Sequence, residues 1–323
     1  MHIVVTGAGG FVGAALVQRL LGGNAPWPAP LQLTLVDRVP AHGPLPEGAV
    51  WHEGGFADPA LLQRLRELPP QCVFHLASVP GALAEREPTL GVQANLLDTV
   101  ALFEHLAQTV RLGQAAAPRV VFASSVAVYG ELGPSPLHEG RRPQPTLSYG
   151  THKWMAELLL ADYSRRGELD GCSLRLPGVV ARPPAPSGHG SAFMSQIFHA
   201  LRLGQAYTCP VSPQATAWWM SLPRCLDNLL HAASLPTADL PPSRSWQPPV
   251  LWASVAEVVA ATARQLGQHD TPGLSYAPDA RIEALFGRQP EVHTPLAEAA
   301  GFRHDGSVDL LVARVLSAWP HTG

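Results

Sequence analysis

Tyr149 and Lys153 stand four residues apart in Ser148-Tyr149-Gly150-Thr151-His152-Lys153, a spacing that puts both side chains on one face of a helix. A free phenol, with a pKa of about 10, is a poor base at neutral pH. An ammonium beside it favours the phenolate and draws that value toward the working range, so the pair can move a proton. Tyr-x-x-x-Lys alone recurs in many helices where the tyrosine only packs. Here it follows Phe122-Ala123-Ser124-Ser125-Val126-Ala127-Val128-Tyr129-Gly130, an apolar run opening onto a polar turn. Ser125 can set a hydroxyl beside the phenol and orient a substrate oxygen, with Ser124 as the alternative. Ser125, Tyr149 and Lys153 form the candidate catalytic set.

A second group of residues suits a phosphate. His2-Ile3-Val4-Val5-Thr6 is a short β-prone run, Gly7, Gly10 and Gly13 follow in G-x-x-G-x-x-G spacing with Gly9 between, and an apolar-periodic segment, Ala14 to Leu21, comes next. Strand, glycine turn and helix start make a dinucleotide pyrophosphate site, because glycines admit the phosphates to backbone N–H groups and the helix N-terminus carries partial positive charge. A plain surface turn is the competing reading. Asp37 ends the next strand, where a carboxylate accepts hydrogen bonds from ribose hydroxyls and repels a 2′-phosphate, so NAD is expected; Arg38 beside it keeps NADP as the alternative.

The elements that must position these residues alternate. Strands are expected at Leu31–Asp37, near Ala49–His52, at Cys72–Ala77 and at Arg119–Ala123, and helices at Pro59–Leu68, from about Gly91 to Arg111, and from Tyr149 to Gly167. The order implies an α/β chain: a doubly wound parallel sheet with helices on both faces. After residue 176 prolines cluster (Arg182-Pro183-Pro184-Ala185-Pro186, Pro241 to Pro249) and short helices follow at Phe193–Leu203, Arg224–Ser234, Val255–Leu266 and Val308–Trp319. Residues 1–175 are therefore expected to form the dinucleotide-binding domain. Residues 176–323 should form mainly a substrate-binding region, with some segments returning to the sheet.

The chain has 323 residues, enough for a sizeable core, and a net charge of −3 without a basic run of the kind nucleic acid or membrane surfaces need. Cys72, Cys172, Cys209 and Cys225 lack C-x-x-C spacing, and the histidines lack H-x-x-x-H pairing, so no metal site or disulfide framework is expected. A strand starting at residue 2 leaves no room for a signal peptide and no apolar stretch reaches membrane-spanning length, so the cytoplasm is expected. Charged residues are only 15% of the chain, which suggests that part of its surface is covered by another subunit.

Taken in order, Thr6 to Gly13, Asp37, Val73-Phe74-His75-Leu76-Ala77, Asn95, Ser124-Ser125-x-Ala127-Val128-Tyr129-Gly130, Tyr149-x-x-x-Lys153 and Arg175-Leu176-Pro177 resemble the extended short-chain dehydrogenases/reductases, the superfamily of the NAD-dependent epimerases and dehydratases. Within it the chain is most similar to the D-erythronate dehydrogenase group, on Ser148 to Lys153, Glu157 to Gly167, Leu174 to Pro177, Ser191-Ala192-Phe193 and Trp219-x-x-x-Pro223-Arg224. The resemblance implies a Rossmann fold, with Tyr149 as proton donor or acceptor, Lys153 as its activator and ribose ligand, and Ser125 on the substrate oxygen. Phe11 and Val12 would lend amides to the pyrophosphate, Leu76, Ala77 and Asn95 would line the cofactor, and Ser78, Arg182, Ser191, Trp219 and Arg224 would join Ser125 at the substrate. Pairing of the two long helices, near 91–111 and 149–167, with their copies would make a homodimer.

The departures concern the ligands. Gly54-Gly55 stands where the family has Gly-Asp, so adenine must be held by backbone or by Phe56. The loop Pro184 to Gly190 lacks the Lys and Asn of a sugar-acid site, and Ala217 stands where an arginine is expected, leaving Arg182, His189 and Arg224 for a carboxylate. Trp218 and Trp219 wall a pocket or fill a core, with Trp218 read as core. The function expected is NAD-dependent oxidation of a secondary hydroxyl on a small sugar acid or related polyhydroxylated molecule. The alternatives are a nucleotide-sugar epimerase or dehydratase with retained NAD, and a non-catalytic dinucleotide sensor.

Overall fold

The structure, a computed structural model, describes all residues except 24–25, 29, 42, 185–189, 272 and 320–323. Strands are numbered along the chain: β1 His2–Thr6, β2 Gln32–Asp37, β3 Ala49–Glu53, β4 Cys72–His75, β5 Arg119–Ser125, β6 Leu137–His138, β7 Asp170–Leu176, β8 Gly178–Val180, β9 Tyr207–Cys209, β10 Thr216–Ser221, β11 Ser245–Trp246, β12 Leu251–Ser254, β13 Leu274–Tyr276 and β14 Val292–His293. Seven of them form one parallel sheet in the order β11-β7-β5-β4-β1-β2-β3, the doubly wound arrangement in which chain direction across the sheet reverses between β1 and β4. Ligands in such folds sit outside the carboxyl ends of the strands at that reversal. All five residues of β1 and all four of β4 are buried, as strands covered on both faces must be.

The helices flanking this sheet are α1 Phe11–Leu21, α2 Pro59–Glu67, α3 Gly81–Arg86, α4 Pro88–Val92, α5 Asp98–Arg111 and α6 Ser148–Arg165. The long helix expected from about Gly91 to Arg111 is instead built in three pieces. α4 runs into a π-helical segment, Gln93–Leu97, which leads into α5. The wider π turn is used by Asn95, whose side chain is buried and tied to the backbone of Val79. The core between sheet and helices joins Val4, Val36, Phe56, Leu61, Val73, Phe103, Phe122, Leu160 and Tyr163.

The chain divides into two compact units. The first is 1–128, 145–175 and 229–246; the second is 129–144, 176–228 and 247–323. The segment 229–246 returns to the first unit, where β11 pairs parallel with β7, whereas 129–144 leaves it, because β6 pairs with β14. The second unit has a three-stranded sheet, β12-β10-β8, over α7 Phe193–Leu203, α9 Val255–Gln265 and the helix Val308–Ser317; α8 Leu222–Ser234 runs from this unit into the first. Its core contains Phe193, Ile197, Phe198, Trp219, Val255, Val258 and Leu311.

Candidate active site

Two glycines of the first turn are required by space, and a third opens the helix that follows. Gly7 has φ +72°, open to glycine and rarely to other residues, and a Cβ there would stand 2.8 Å from the Ala77 amide nitrogen. A Cβ on Gly13 would meet the Gly7 carbonyl oxygen at 1.9 Å, so this glycine lets the start of α1 lie against the turn. Gly10 is the N-cap of α1 and has no side-chain cap hydrogen bond, leaving the first-turn amides of Phe11 and Val12 without an intrahelical acceptor. The bare turn and unpaired amides fit a diphosphate, which needs close backbone approach and several N–H donors.

Asp37 ends β2 and fixes the turn. Its Oδ2 accepts the Gly9 N–H at 2.8 Å and its Oδ1 accepts the Val39 N–H at 3.2 Å. Each carboxylate oxygen keeps further acceptor capacity for a ribose. Arg38 is exposed and lies 3.9 Å from the half-buried Asp98, a loose pair. Phe56 requires a correction: it is buried edge-on to His75, with ring centroids 4.7 Å apart, so its ring is committed to the core rather than offered to adenine. Sequence reasoning missed Asp58, whose carboxylate folds back over the Gly54–Gly55 pair. Its Oδ2 accepts the Gly55 N–H at 2.8 Å and lies 3.3 Å from His52 Nε2, and a Cβ on Gly54 would meet it at 2.2 Å. The signal was present, since two glycines three and four residues before an acid leave room for its side chain.

A buried polar chain sets the other wall. Thr99 donates its hydroxyl to the Asn95 carbonyl at 3.3 Å and so accepts from His75 Nε2 at 3.0 Å. His75 Nδ1 then accepts from the Thr6 hydroxyl at 2.7 Å, and Thr6 accepts the Ala77 N–H at 3.3 Å. Burial, helped by the Lys153 charge, pushes the His75 imidazole down to about 3, consistent with this neutral tautomer. Asn95 accepts the Val79 N–H at 2.7 Å and donates to the Val79 carbonyl at 3.0 Å. Both ends of its amide therefore hold the loop after β4, where Leu76 and Ala77 are half-buried and Ser78 is exposed.

Ser125, Tyr149 and Lys153 come from β5 and α6. α6 is seated by Gly150, where a Cβ would meet the Ala127 carbonyl oxygen at 2.3 Å, and by Glu85, which accepts the Ser148 N–H at 2.6 Å. Close approach at Gly150 brings the turn after Ser125 against the first turn of the helix. Lys153 is buried: its Nζ donates to the Ala123 carbonyl at 2.8 Å, lies 4.7 Å from the Phe122 ring centroid and 5.6 Å from that of Tyr149. Desolvation draws the Lys153 ammonium down to about 7, against the opposing pull of Glu157. Ser125 Oγ accepts the Ala127 N–H at 3.2 Å, and its proton has no acceptor among the described residues.

In the second unit, Arg182 is exposed while its backbone is held: its N–H donates to Ser195 Oγ at 2.9 Å and its carbonyl meets His199 Nε2 at 2.8 Å. A small cavity is lined by Gly178, Arg182, Ser191, Met194, Ser195 and Gln196 among others. Arg224 pairs with Asp227 at 3.3 Å. Trp219 requires a second correction, since it is wholly buried against Phe198 with its Nε1 donating to the Ala253 carbonyl at 3.0 Å, which makes it core. Trp218 is equally buried, its Nε1 donating to the Pro290 carbonyl at 2.6 Å. His189 lies outside the described residues.

The doubly wound sheet and its glycine turn are those of the extended short-chain dehydrogenase fold. A sequence model described as "NAD dependent epimerase/dehydratase family" matches residues 3–219, and the chain belongs to that family. It is 34% identical over 318 residues to D-erythronate dehydrogenase of Cupriavidus necator, with 97% of each chain covered, and 29% identical over 321 residues to that of Haemophilus influenzae, with 98% of this chain and 99% of the relative covered. Among solved structures it is similar to the nucleoside-diphosphate-sugar epimerase from Agrobacterium tumefaciens, at 31% identity and TM-score 0.89, over 97% of this chain and 92% of that one. The cofactor class of this dehydrogenase is therefore nicotinamide dinucleotide. Among the described residues no helix is long and apolar enough to cross a membrane.

Proposed function

We propose that the chain oxidises a secondary hydroxyl of a small sugar acid with NAD. The observation that carries this reading is the buried Lys153 ammonium 5.6 Å from the Tyr149 ring on the same helix face, donating to Ala123 on the strand that ends in Ser125, a serine whose hydroxyl proton is uncommitted among the described residues. Gly7, Gly10, Phe11, Val12 and Gly13 would hold the pyrophosphate, Asp37 the ribose, and Leu76, Ala77, Tyr149 and Lys153 the nicotinamide half, with Asn95 fixing the loop. NAD, when bound, supplies the hydride acceptor. Asp58 offers the carboxylate that Gly54–Gly55 lacks, and we assign it to the adenine amine. Asp37 supports NAD over NADP.

In the proton-transfer half of the reaction, Ser125 donates its hydrogen bond to the substrate oxygen and fixes it. Tyr149, kept acidic by the ammonium, takes the hydroxyl proton as the carbonyl forms. Arg182 supplies a guanidinium with an anchored backbone and no ion pair among the described residues, suited to a substrate carboxylate. Ser78, Ser191 and Arg224 remain our assignments for the hydroxyls. The names of the Cupriavidus and Haemophilus relatives support a four-carbon acid as the first substrate to try. Exposed Val92, Leu97, Met155 and Leu158 support a homodimer through the 91–111 and 149–167 helices, and four buried free thiols support a reducing, cytoplasmic setting.

The test is a screen of four- to six-carbon sugar acids, polyols and nucleotide sugars for NADH formation, run beside Tyr149→Phe. The substitution should cut turnover by about 10²-fold or more and leave NAD affinity nearly unchanged; a fully active variant ends the assignment. The name of the Agrobacterium structure favours the second reading, a nucleotide-sugar epimerase. Product formation from a nucleotide sugar with no net NADH would establish it instead.

A further inference from the structure

Tyr149 and Lys153 are followed on the same face of α6 by Glu157, one turn further on. It is buried, and three groups from other elements or its own helix act on it. Arg175, on β7, forms a fork to its carboxylate, with Nη2 at 2.8 Å from Oε2 and Nε at 3.1 and 3.2 Å from the two oxygens. Ser124, on β5, donates to Oε1 at 2.5 Å. Lys153 feels its charge. A buried fork of this kind costs desolvation that apolar residues of similar volume would avoid, so its presence beside a reacting pair points to a role beyond stability.

The charged and titratable groups around the ammonium are few among the described residues. Tyr149 and Glu157 lie on its own helix, Arg175 reaches it through Glu157, and His75 on β4 is neutral. From α3, Glu85 holds Ser148 and acts on His152. α4 carries no titratable residue, Asn95 in the π segment is uncharged, and Glu104 on α5 is engaged with Arg111 and Tyr163. Glu157 is thus the anion that balances two buried cations.

We infer that Glu157 is a positioning residue acting through Lys153: held by Arg175 and Ser124, its carboxylate keeps the ammonium protonated where it must activate Tyr149. This rests on the reading of Tyr149 and Lys153 as the proton-transfer pair. Replacing the carboxylate by an amide of the same shape would remove the negative charge one helical turn along from Lys153 and leave the Arg175 guanidinium without its anion, and the lysine would shed its proton at lower pH. Replacing Arg175 by glutamine would do the reverse, removing the paired cation and leaving the carboxylate's charge, still hydrogen-bonded by Ser124, to act on Lys153.

The experiment measures kcat from about pH 6 to pH 10 for wild type, Tyr149→Phe, Glu157→Gln and Arg175→Gln, with the substrate the screen returns and folding checked by thermal melting. Glu157→Gln should move the alkaline limb to lower pH by about one unit, roughly a tenfold loss at pH 8, while activity near pH 6 is largely kept. Arg175→Gln should move the same limb to higher pH. Equal loss of kcat at every pH in Glu157→Gln, or limbs that shift together in both variants, would overturn the inference. Should Glu157→Gln not fold, Arg175→Gln decides alone, an unmoved or acid-shifted limb being the negative result. An active Tyr149→Phe would instead remove the catalytic reading beneath it.

Discussion

Ser124 donates its hydroxyl to the buried carboxylate of Glu157, and this bond separates two adjacent serines by function. Successive residues of a strand point to opposite faces. Ser124 turns to the buried pair of Glu157 and Arg175, whereas Ser125 only accepts the Ala127 N–H and can donate elsewhere. Ser125→Ala should therefore lower kcat by about 10²-fold, the scale of a lost hydrogen bond to a reacting oxygen. Ser124→Ala should stay within about threefold of wild type in kcat while losing about 1.5–3 kcal/mol of stability, the range for a hydrogen bond to a charged group. Steady-state kinetics and urea unfolding of both variants check this, and the opposite ranking would transfer the substrate oxygen to Ser124.

Asp37 has two duties that different substitutions separate. Asparagine retains an oxygen for the Gly9 N–H, so Asp37→Asn should keep the turn in place while removing the charge that repels a 2′-phosphate. The kcat/KM ratio of NAD to NADP should fall about tenfold or more, on the scale of one lost charge interaction of about 1.4 kcal/mol. Asp37→Ala should also release Gly9 and weaken both cofactors. An unchanged ratio in Asp37→Asn would show that preference is set elsewhere, with Arg38 the first residue to examine.

Local chemistry was legible in the sequence, and contacts across space were not. Gly7, Gly10 and Gly13 announced the turn because each meets backbone only a few residues away or at the next strand. Phe193–Leu203 and Val255–Gln265 fell where helical periodicity put them. The Glu157–Arg175–Ser124 cluster joins a helix and two strands, and nothing local in any of them marks a glutamate as buried rather than solvated. Phe56 and Trp219 were read as ligand contacts because an aromatic in a core and one in a pocket look alike in one dimension. The π segment around Asn95 keeps the apolar pattern of a continuous helix and so left no trace.

His75 makes stability depend on pH in a defined window. Its folded pKa of about 3 lies below its ordinary value, so between about pH 6.5 and 3 the unfolded chain binds a proton that the folded chain refuses. The stability from this neutral, doubly bonded imidazole is complete above pH 6.5 and is lost as pH falls, with a slope of up to about 1.4 kcal/mol per pH unit. His75→Gln should be less stable at pH 8, having lost part of the Thr6–His75–Thr99 chain, yet lose less on acidification. Urea unfolding of the two proteins at several pH values, compared by difference, removes the background of other titrating groups. Parallel curves would mean that His75 charges as readily folded as unfolded.

Leu97 on the π segment and Leu158 on α6 are 49% and 56% exposed, and Val92 and Met155 at 37% and 41% extend the same apolar character along these helices. α6 and α5 already spend another face on the first unit's core, through Leu160 and Tyr163 on α6 and Leu102 and Phe103 on α5. Helices apolar on more than one face need cover on each. Burial of one such leucine is worth about 1.5–3 kcal/mol, and a two-fold interface repeats each contact. Wild type should therefore sediment as a dimer, and Leu97→Glu combined with Leu158→Glu should sediment as a folded monomer, since both side chains point away from the core. Because α6 carries Tyr149 and Lys153, the monomer should also show reduced turnover. A monomeric wild type across the concentration range of the assay would leave these leucines without the partner assigned to them.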